Sequence, residues 1–376
     1  MKILITGATG YIGAVAAEAL GTRGHQILGL ARSQRSAYTL RERGVEPVMG
    51  DFGDPVSLAN AVHEARPDVV LSTASVGGAS GDQAAFARDG EAVRAMREAL
   101  ADHGGTLVFT SGSAVFGVFN GGDATDTVYD EDTRLPLPAS VFAPESAGVH
   151  ALLAAGFGAA MAARVETERA VLADGNVRGV VVRPGLVYGR GGNSDLRSLI
   201  DRARKEGRAG HWGSGGTTQS YVHVEDLAEL FCLAAELAPH GTILHGVTAD
   251  ITQRELGRAI NRMIGTDERT DSLSLLQMLG IDAGTVGDIG GSFTPPATAA
   301  SGISLSLNKR LSSENTRKLL DWSPNAPTSA TTSRSAHTRT DHRQPSASKT
   351  WSQWSSNSCA GTPKCLTDNV SRRHHD

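Results

Sequence analysis

The sequence predicts an α/β protein with a doubly wound parallel sheet and a smaller, mostly helical region in its C-terminal half. Three observations support this prediction. Strand-like and helix-like runs alternate through the first half, a glycine-rich turn joins the first strand to the first helix, and 376 residues, 40% of them apolar, can form a sizeable core. Alternating strands and helices require crossover connections, which place helices on both faces of a parallel sheet.

Short apolar runs predict the strands, and the amphipathic or Ala-rich segments between them predict the helices. We expect strands at 2–6, 25–31, 46–50, 68–75, 105–112 and 178–185. We expect helices at 11–22, 33–43, 55–65, 82–102 and 160–173. Further helices near 194–206, 225–237, 253–264 and 308–320 would build the smaller region.

The last 51 residues differ in composition from the rest of the chain. Residues 326–376 contain ten Ser and eight Thr, and Leu366 and Val370 are their only Ile, Leu or Val residues. Such a segment cannot bury enough apolar surface to offset its chain entropy. We therefore expect a disordered, Ser/Thr-rich tail. Seven Lys or Arg against three Asp make it basic, so an interaction arm is the alternative.

Composition also excludes several classes of protein. A net charge of −4 gives no electrostatic case for binding nucleic acid or an anionic membrane, and no apolar run is long enough to span a bilayer. The three cysteines, Cys232, Cys359 and Cys365, are too few for a disulfide scaffold, and no metal-binding motif occurs. We expect a cytoplasmic protein with a small-molecule substrate, no metal and no nucleic-acid or membrane partner.

The strongest chemical signal is TGATGYIG at residues 6–13, between the first strand and the first helix. Gly7 permits a tight turn, Gly10 lets the backbone approach a pyrophosphate, and Gly13 lets the helix lie close to the sheet. The free N–H groups at the helix start then attract phosphates. This context predicts a dinucleotide site. Its cofactor-binding residues would be Gly7, Thr9, Gly10, Tyr11, Ile12 and Gly13.

The end of the second strand favours NADP over NAD. An NAD site usually has an acidic residue here for the ribose 2′-hydroxyl, but none occurs between Gly24 and Arg41. Arg32, together with Arg35, could instead pair with a 2′-phosphate. Further cofactor contacts are predicted where strands three and four end, from Asp51, Phe52, Thr73 and Ser75.

Five segments of the sequence carry a family resemblance. In chain order they are TGATGYIG (6–13), GDF (50–52), VFTSGSAVFG (108–117), RPGLVYGRGG (183–192) and YVHVEDLA (221–228). Together they resemble the extended short-chain dehydrogenase/reductase superfamily, in its NAD-dependent epimerase/dehydratase-like branch, over about residues 1–322. The resemblance implies a Rossmann-type sheet with strand order 3-2-1-4-5-6-7. It also implies that the RPG-x-VYG loop lies beside the nicotinamide, with Arg183, Pro184, Val187 and Tyr188 as wall residues.

The resemblance further implies a division into domains. An NAD(P)-binding Rossmann domain would occupy 1–185, with 221–248 returning to it, and a substrate region would comprise 186–220 and 249–325. In relatives the loop equivalent to 207–219, which carries His211 and Trp212, lines the substrate cleft; the alternative is a plain linker. Relatives often pair through helices of the Rossmann domain, so a homodimer is one expectation.

The chain departs from the chemistry of the family at the catalytic pair. The resemblance implies a Tyr-x-x-x-Lys pair, but its register places Ala160 and Arg164 there, and no lysine occurs between Lys2 and Lys205. Arginine cannot transfer a proton near pH 7, although Arg164 could still bind ribose hydroxyls. The hydroxyl position falls at Gly112, between two serines. The predicted catalytic residues are therefore Ser111, Ser113 and Arg164.

A proton donor would have to come from elsewhere in the chain. Besides the two serines, the candidates are Tyr188, Tyr221, His223 and His150. We expect a structural role for His223 and an exposed position for Tyr129. We expect a mobile insertion at the Ala/Gly-rich stretch 146–163, which contains His150. Three functions stay open: an NAD(P)(H)-dependent oxidoreductase acting on a carbonyl or alcohol, an NADP-binding sensor without catalysis, and a non-redox isomerase, epimerase or lyase.

Overall fold

A computed structural model describes residues 1–76, 83–118, 122–135, 149–274, 277–278 and 302–325, with only the backbone of 149–155. The tail predicted at 326–376 lies outside the described residues. Twelve strands are described: β1 (Lys2–Thr6), β2 (Gln26–Ala31), β3 (Glu46–Met49), β4 (Val69–Ser72), β5 (Thr106–Thr110), β6 (Arg178–Pro184), β7 (Leu186–Tyr188), β8 (Gly210–Trp212), β9 (Thr218–His223), β10 (Thr242–Gly246), β11 (Ala249–Thr252) and β12 (Asp271–Leu273).

Nine helices are described alongside these strands. They are α1 (Tyr11–Thr22), α2 (Gln34–Glu42), α3 (Pro55–Ala65), α4 (Gln83–Ala101), α5 (Val149–Leu172), α6 (Ser194–Glu206), α7 (Val224–Leu237), α8 (Gln253–Ile264) and α9 (Glu314–Leu320). A 3₁₀ turn, Ser113–Phe116, follows β5. No described helix is both long and apolar enough to cross a membrane.

The central sheet has seven parallel strands in the order β3-β2-β1-β4-β5-β6-β10. This arrangement confirms the predicted fold class and the strand order 3-2-1-4-5-6-7. Because side chains alternate along β1, Ile3 and Ile5 pack in one apolar cluster with α1, α2 and α7, whereas Leu4 packs in a second with α3, α4 and α5. Both faces are therefore buried, and the carboxyl ends of the strands form the edge where ligands bind in such folds.

Three features differ from the sequence-based expectations. α5 begins at Val149 instead of 160, so the described part of the stretch expected to be an insertion belongs to this helix. Its Ala-rich composition favours helix despite the two glycines. α9 begins at Glu314 because the preceding residues form isolated β-bridges instead, Asn308 with Val118 and Lys309 with Gln219. No strand was predicted at the position of β10, the seventh strand of the central sheet, or in the two small sheets, β11-β9-β7 and β12-β8.

Candidate functional site

The glycine-rich turn packs tightly against the first turn of α1 and the end of β4. Gly7 adopts φ +78°, and its carbonyl accepts a 2.8 Å hydrogen bond from the Gly10 N–H. Gly10 is the N-cap of α1 and makes no side-chain cap bond. A Cβ at Gly13 would lie 2.3 Å from the Gly7 oxygen and 2.6 Å from Oγ1 of Thr73. The first N–H groups of a helix have no partner within the helix, so an anion can serve as the partner of those at the start of α1.

Two side chains anchor this turn to its surroundings. The Thr73 hydroxyl donates to the Thr6 carbonyl at 2.7 Å and joins the ends of β4 and β1. The Tyr11 hydroxyl donates to the Gly189 carbonyl at 2.7 Å, and a Cβ at Gly192 would overlap the Tyr11 ring. Burial raises the pKa of Tyr11. Tyr11 thus ties the start of α1 to the glycine-rich loop after β7, and Ile12, half-buried beside it, packs on the core.

Three arginines lie on the side of the turn where β2 ends. Arg32 and Arg35 are exposed at the start of α2, whose N-cap is Ser33. Arg43, at the other end of α2, places Nη1 3.5 Å from the Thr9 carbonyl. The sequence reasoning missed Arg43 because only the folding of α2 against the turn brings it back to residue 9. These guanidinium groups create a positive environment beside the glycine turn.

The predicted contacts after β3 divide into an exposed and a buried residue. Asp51 is exposed, and its Oδ1 accepts from the Gly53 N–H at 2.9 Å. Phe52 is only 9% exposed and packs in the core cluster with Leu58. A cofactor contact from Phe52 would therefore have to come mainly from its main chain.

The end of β5 carries a buried hydroxyl. The Ser111 N–H bonds to the Val182 carbonyl at 2.8 Å, and its Oγ is buried with no hydrogen-bond partner among the described residues. Ser113 is also buried, at the start of the 3₁₀ turn. Between them, a Cβ added at Gly112 would meet nothing within 4 Å. An unpaired buried hydroxyl costs about 1–3 kcal/mol.

The helix that should carry the catalytic pair has neither member. Ala160 is 3% exposed and lies in an apolar cluster. Nη2 of Arg164 donates to the carbonyls of Thr110 and Ser111 at 2.7 and 3.2 Å. Its Nη1 lies 3.5 Å from Oδ2 of Asp89. Arg164 therefore already has protein partners near the predicted position of the nicotinamide ribose.

The alternative proton donors have structural contacts. Burial raises the pKa of Tyr188 to about 12 and also raises that of Tyr221. His223 is the N-cap of α7, its ring accepts from the Glu225 N–H at 3.3 Å, and burial lowers its pKa. The side chain of His150 lies outside the described residues.

Tyr129 does not have the exposed position that was expected. It is partly buried, and its ring stacks on Phe116 at a centroid distance of 4.7 Å. Burial raises its pKa. The expectation was wrong because the acidic residues around Tyr129 suggested a solvated loop, whereas its main chain pairs with Leu311.

The RPG-x-VYG loop lies mostly in the interior. Pro184 and Val187 are buried, and Arg183 forms a buried ion pair with Glu168, Nη2 to Oε2 at 2.6 Å. The guanidinium of Arg183 also lies over the Phe116 ring, 5.0 Å from its centroid. Arg183 therefore packs in the protein interior, where Glu168 and Phe116 hold its side chain.

The Gly-rich segment at 207–219 contains ordered structure. His211 and Trp212 lie on β8; His211 is 3% exposed, and the Trp212 N–H donates to Oε1 of Gln253 at 2.8 Å. Burial, together with Arg254, lowers the pKa of His211. In the part of the chain that the structure describes, no three His, Cys, Asp or Glu side chains come together as a metal site.

A comparison with models of known protein families identifies the family of this chain. The model of the NAD dependent epimerase/dehydratase family matches residues 3–245. The chain belongs to this family. Family membership agrees with the predicted superfamily, and the match includes the glycine turn and all seven strands of the central sheet.

The relatives of this family member include several reductases. It is 29% identical over 267 residues to the 2-alkyl-3-oxoalkanoate reductase of Stenotrophomonas maltophilia (strain K279a), covering 68% of this chain and 71% of the relative. It is 28% identical over 251 residues to the 4-hydroxy-2-methyl-3-oxo-4-farnesyl-3,4-dihydroquinoline-1-oxide ketoreductase of Stigmatella aurantiaca, covering 65% and 67%. An uncharacterized protein of Schizosaccharomyces pombe is 29% identical over 266 residues, covering 70% and 81%.

Solved structures share the fold of this family member. The human epimerase family protein SDR39U1 with NADPH aligns with a TM-score of 0.60 at 18% identity, covering 87% of this chain and 96% of that one. DesIV, a dTDP-glucose 4,6-dehydratase from Streptomyces venezuelae with NAD and TYD bound, aligns with a TM-score of 0.62 at 18% identity, covering 89% and 95%.

Proposed function

We propose that the protein is an NAD(P)(H)-dependent oxidoreductase that acts on a carbonyl or alcohol group of a small metabolite. The glycine turn is the observation that carries this proposal. A Cβ at Gly13 would lie 2.3 Å from the Gly7 oxygen, so the turn and α1 are in direct contact and only glycine fits there. Such packing leaves the start of α1 clear for a pyrophosphate.

The described residues fit a dinucleotide with a 2′-phosphate. The N–H groups of Tyr11, Ile12 and Gly13 would hold the pyrophosphate, and Arg32 with Arg43 would bind the 2′-phosphate through charge-assisted hydrogen bonds. We therefore propose NADP as the preferred cofactor, with NAD as the alternative. When bound, the nicotinamide would donate or accept the hydride.

The unpaired hydroxyl of Ser111 is the group that we propose to bind the substrate oxygen, with Ser113 as the second candidate. A hydroxyl that already lacks a partner needs no bond broken before it donates to a developing oxyanion. The proton would then come from a noncanonical donor or from water, since α5 carries neither the tyrosine nor the lysine of the usual pair. The two reductases among the relatives support a carbonyl substrate.

The test is a titration of the purified chain with NADPH and NADH, followed by turnover measurements on a panel of ketones and 3-oxo acids. Deuterium transfer from 4-deuterated NADPH to the product would establish hydride transfer. We expect NADPH to bind more tightly than NADH and at least one ketone to be reduced. Absence of NADPH binding at millimolar concentration would refute the proposal.

A sensor without catalysis is the second candidate. The observation in its favour is α5, where Ala160 is buried in an apolar cluster and Arg164 is bound to the protein. This candidate predicts tight NADPH binding without turnover of any carbonyl. A non-redox isomerase or epimerase, suggested by the family description, predicts product formation with no net change in NADPH.

We also propose the domain division expected from the sequence. Strand β10 lies within 221–248 and joins the central sheet beside β6, which supports the return of this segment to the domain formed by 1–185. The small sheets β11-β9-β7 and β12-β8 lie mostly within 186–220 and 249–325, the proposed substrate region. Limited proteolysis with and without NADPH would test this division.

A further inference from the structure

Arg164 is held by an unusual set of contacts. Its Nη2 donates to the carbonyls of Thr110 and Ser111, at the end of β5. Its guanidinium also lies over two aromatic rings, 5.0 Å from the centroid of Phe86 and 5.3 Å from that of Phe109. The side chain is only 13% exposed, so these contacts must replace most of its hydration.

Asp89 on α4 supplies the opposite charge. Its Oδ2 lies 3.5 Å from Nη1 of Arg164, and the carboxylate is buried. The same carboxylate accepts from the Ser75 hydroxyl at 2.6 Å and from the Val76 N–H at 2.7 Å. Ser75 and Val76 follow β4. Asp89 therefore holds the chain after β4, while Arg164 holds the end of β5.

We propose that Asp89 and Arg164 form a charged clamp that fixes the carboxyl ends of β4 and β5 relative to each other. Arg164 is then a positioning residue, and it does not bind the ribose. The inference rests on the proposed function, because the clamp holds the main chain of Ser111, the residue proposed to bind the substrate oxygen. Fixing this backbone before the substrate arrives removes reorganisation from the reaction.

The contacts also explain why arginine occupies this position. A planar guanidinium can lie over aromatic rings such as those of Phe86 and Phe109 while its N–H groups donate to carbonyl oxygens and its charge pairs with a nearby carboxylate. A lysine ammonium is a point charge on a flexible stem and cannot stack in this way. We therefore expect Arg164→Lys to keep the charge but only part of the clamp.

The test compares Arg164→Met, Asp89→Asn and the double variant in the full chain. Amide hydrogen exchange across 106–112, measured without cofactor, should rise about tenfold or more in each single variant. The double variant should add little, because the two residues act as one unit. NADPH affinity should fall about three- to tenfold in both single variants. Affinity for adenosine 2′,5′-bisphosphate, which occupies only the adenosine half of the site, should not change.

Arg97→Met is the matched control. Arg97, on α4, also donates to two carbonyls, those of Ala173 at 2.5 Å and Asp174 at 2.9 Å, but these follow α5 instead of ending β5. It should leave exchange across 106–112 and the ratio of the two ligand affinities unchanged. If Arg164→Met does not fold, Arg164→Lys provides the same comparison.

Two results would overturn the clamp. One is unchanged exchange across 106–112 in both single variants. The other is a loss of NADPH affinity in Arg164→Met but not in Asp89→Asn, which would make Arg164 a direct ligand. If the wild type binds neither NADPH nor the bisphosphate, the proposed function fails, and the exchange measurement still decides whether the clamp exists.

Discussion

Replacement of Gly13 by alanine should damage both the fold and the dinucleotide site. The new Cβ would lie 2.3 Å from the Gly7 oxygen and 2.6 Å from Oγ1 of Thr73. Neither neighbour can move freely, since the Gly7 oxygen accepts from the Gly10 N–H and the Thr73 hydroxyl donates to the Thr6 carbonyl. The start of α1 must therefore move away from the turn. Reaching an ordinary contact distance of 3.4 Å requires a shift of about 1 Å.

This displacement sets the expected magnitude. Overpacking of a tight core contact costs about 1–3 kcal/mol of unfolding free energy. Misaligned hydrogen bonds to a charged phosphate cost about 1.5–3 kcal/mol, which is roughly a 10- to 100-fold loss of NADPH affinity. Gly21, on the same helix, provides the control, because its added Cβ would approach nothing closer than Ile27 Cγ1 at 3.8 Å. Gly21→Ala should be neutral or should stabilise by up to about 1 kcal/mol.

Urea unfolding and NADPH fluorescence titration measure the two effects separately. We expect Gly13→Ala to lower both the unfolding free energy and the affinity, and Gly21→Ala to leave the affinity unchanged. If Gly13→Ala binds NADPH as tightly as the wild type, the first turn of α1 does not hold the pyrophosphate, and the reasoning from the glycine turn is refuted.

Three further predictions concern cofactor preference, chemistry and pH. Arg32→Ala should weaken NADPH binding about tenfold and leave NADH binding unchanged in parallel titrations; equal losses would argue against a 2′-phosphate contact. Ser111→Ala should lower kcat about 10²–10³-fold on any ketone that is turned over, with NADPH affinity retained; an unchanged kcat would remove Ser111 from the chemistry. His245, whose ring Nδ1 bonds to the Ser312 carbonyl at 2.9 Å, has a pKa lowered by burial from 6.5 to about 3. Between pH 6.5 and about pH 3, His245 is protonated in the unfolded chain but neutral in the folded chain. The unfolding free energy therefore decreases as the pH is lowered through this range. The unfolding free energy, measured at a series of pH values, should decrease less steeply for His245→Asn than for the wild type. The two slopes should differ by about 1.4 kcal/mol per pH unit, and equal slopes would contradict this prediction.

The sequence predicts the central sheet well because its signals are local. Strand residues such as Ile3 and Leu4 are apolar on both faces, and glycine occurs where the turn needs φ > 0 at Gly7 and close packing at Gly13. These features depend on neighbours within about ten residues. The small strands β7, β8 and β12 have three residues each and pair with distant segments, so no periodicity identifies them.

The parts of the candidate site that escaped prediction depend on contacts between distant segments. Arg43 reaches Thr9, 34 residues away, and Arg164 reaches Thr110, 54 residues away. Tyr129 was misjudged for the same reason, since its ring stacks on a residue of the turn after β5. Charged or polar neighbours in the sequence do not predict whether a side chain is buried when the residue that covers it belongs to another helix, strand or turn.

The absence of a Tyr-x-x-x-Lys pair from α5 and the proposed dinucleotide site are compatible because they involve different parts of the fold. The proposed pyrophosphate site consists of main-chain N–H groups at the start of α1, which do not depend on the side chains of α5. The position where the family resemblance implies lysine has become an anchor for the end of β5, with Arg164 bound to Asp89 and to two carbonyls. Chemistry at the nicotinamide would then depend on Ser111 and water, because a guanidinium held in this way neither donates nor accepts a proton near neutral pH.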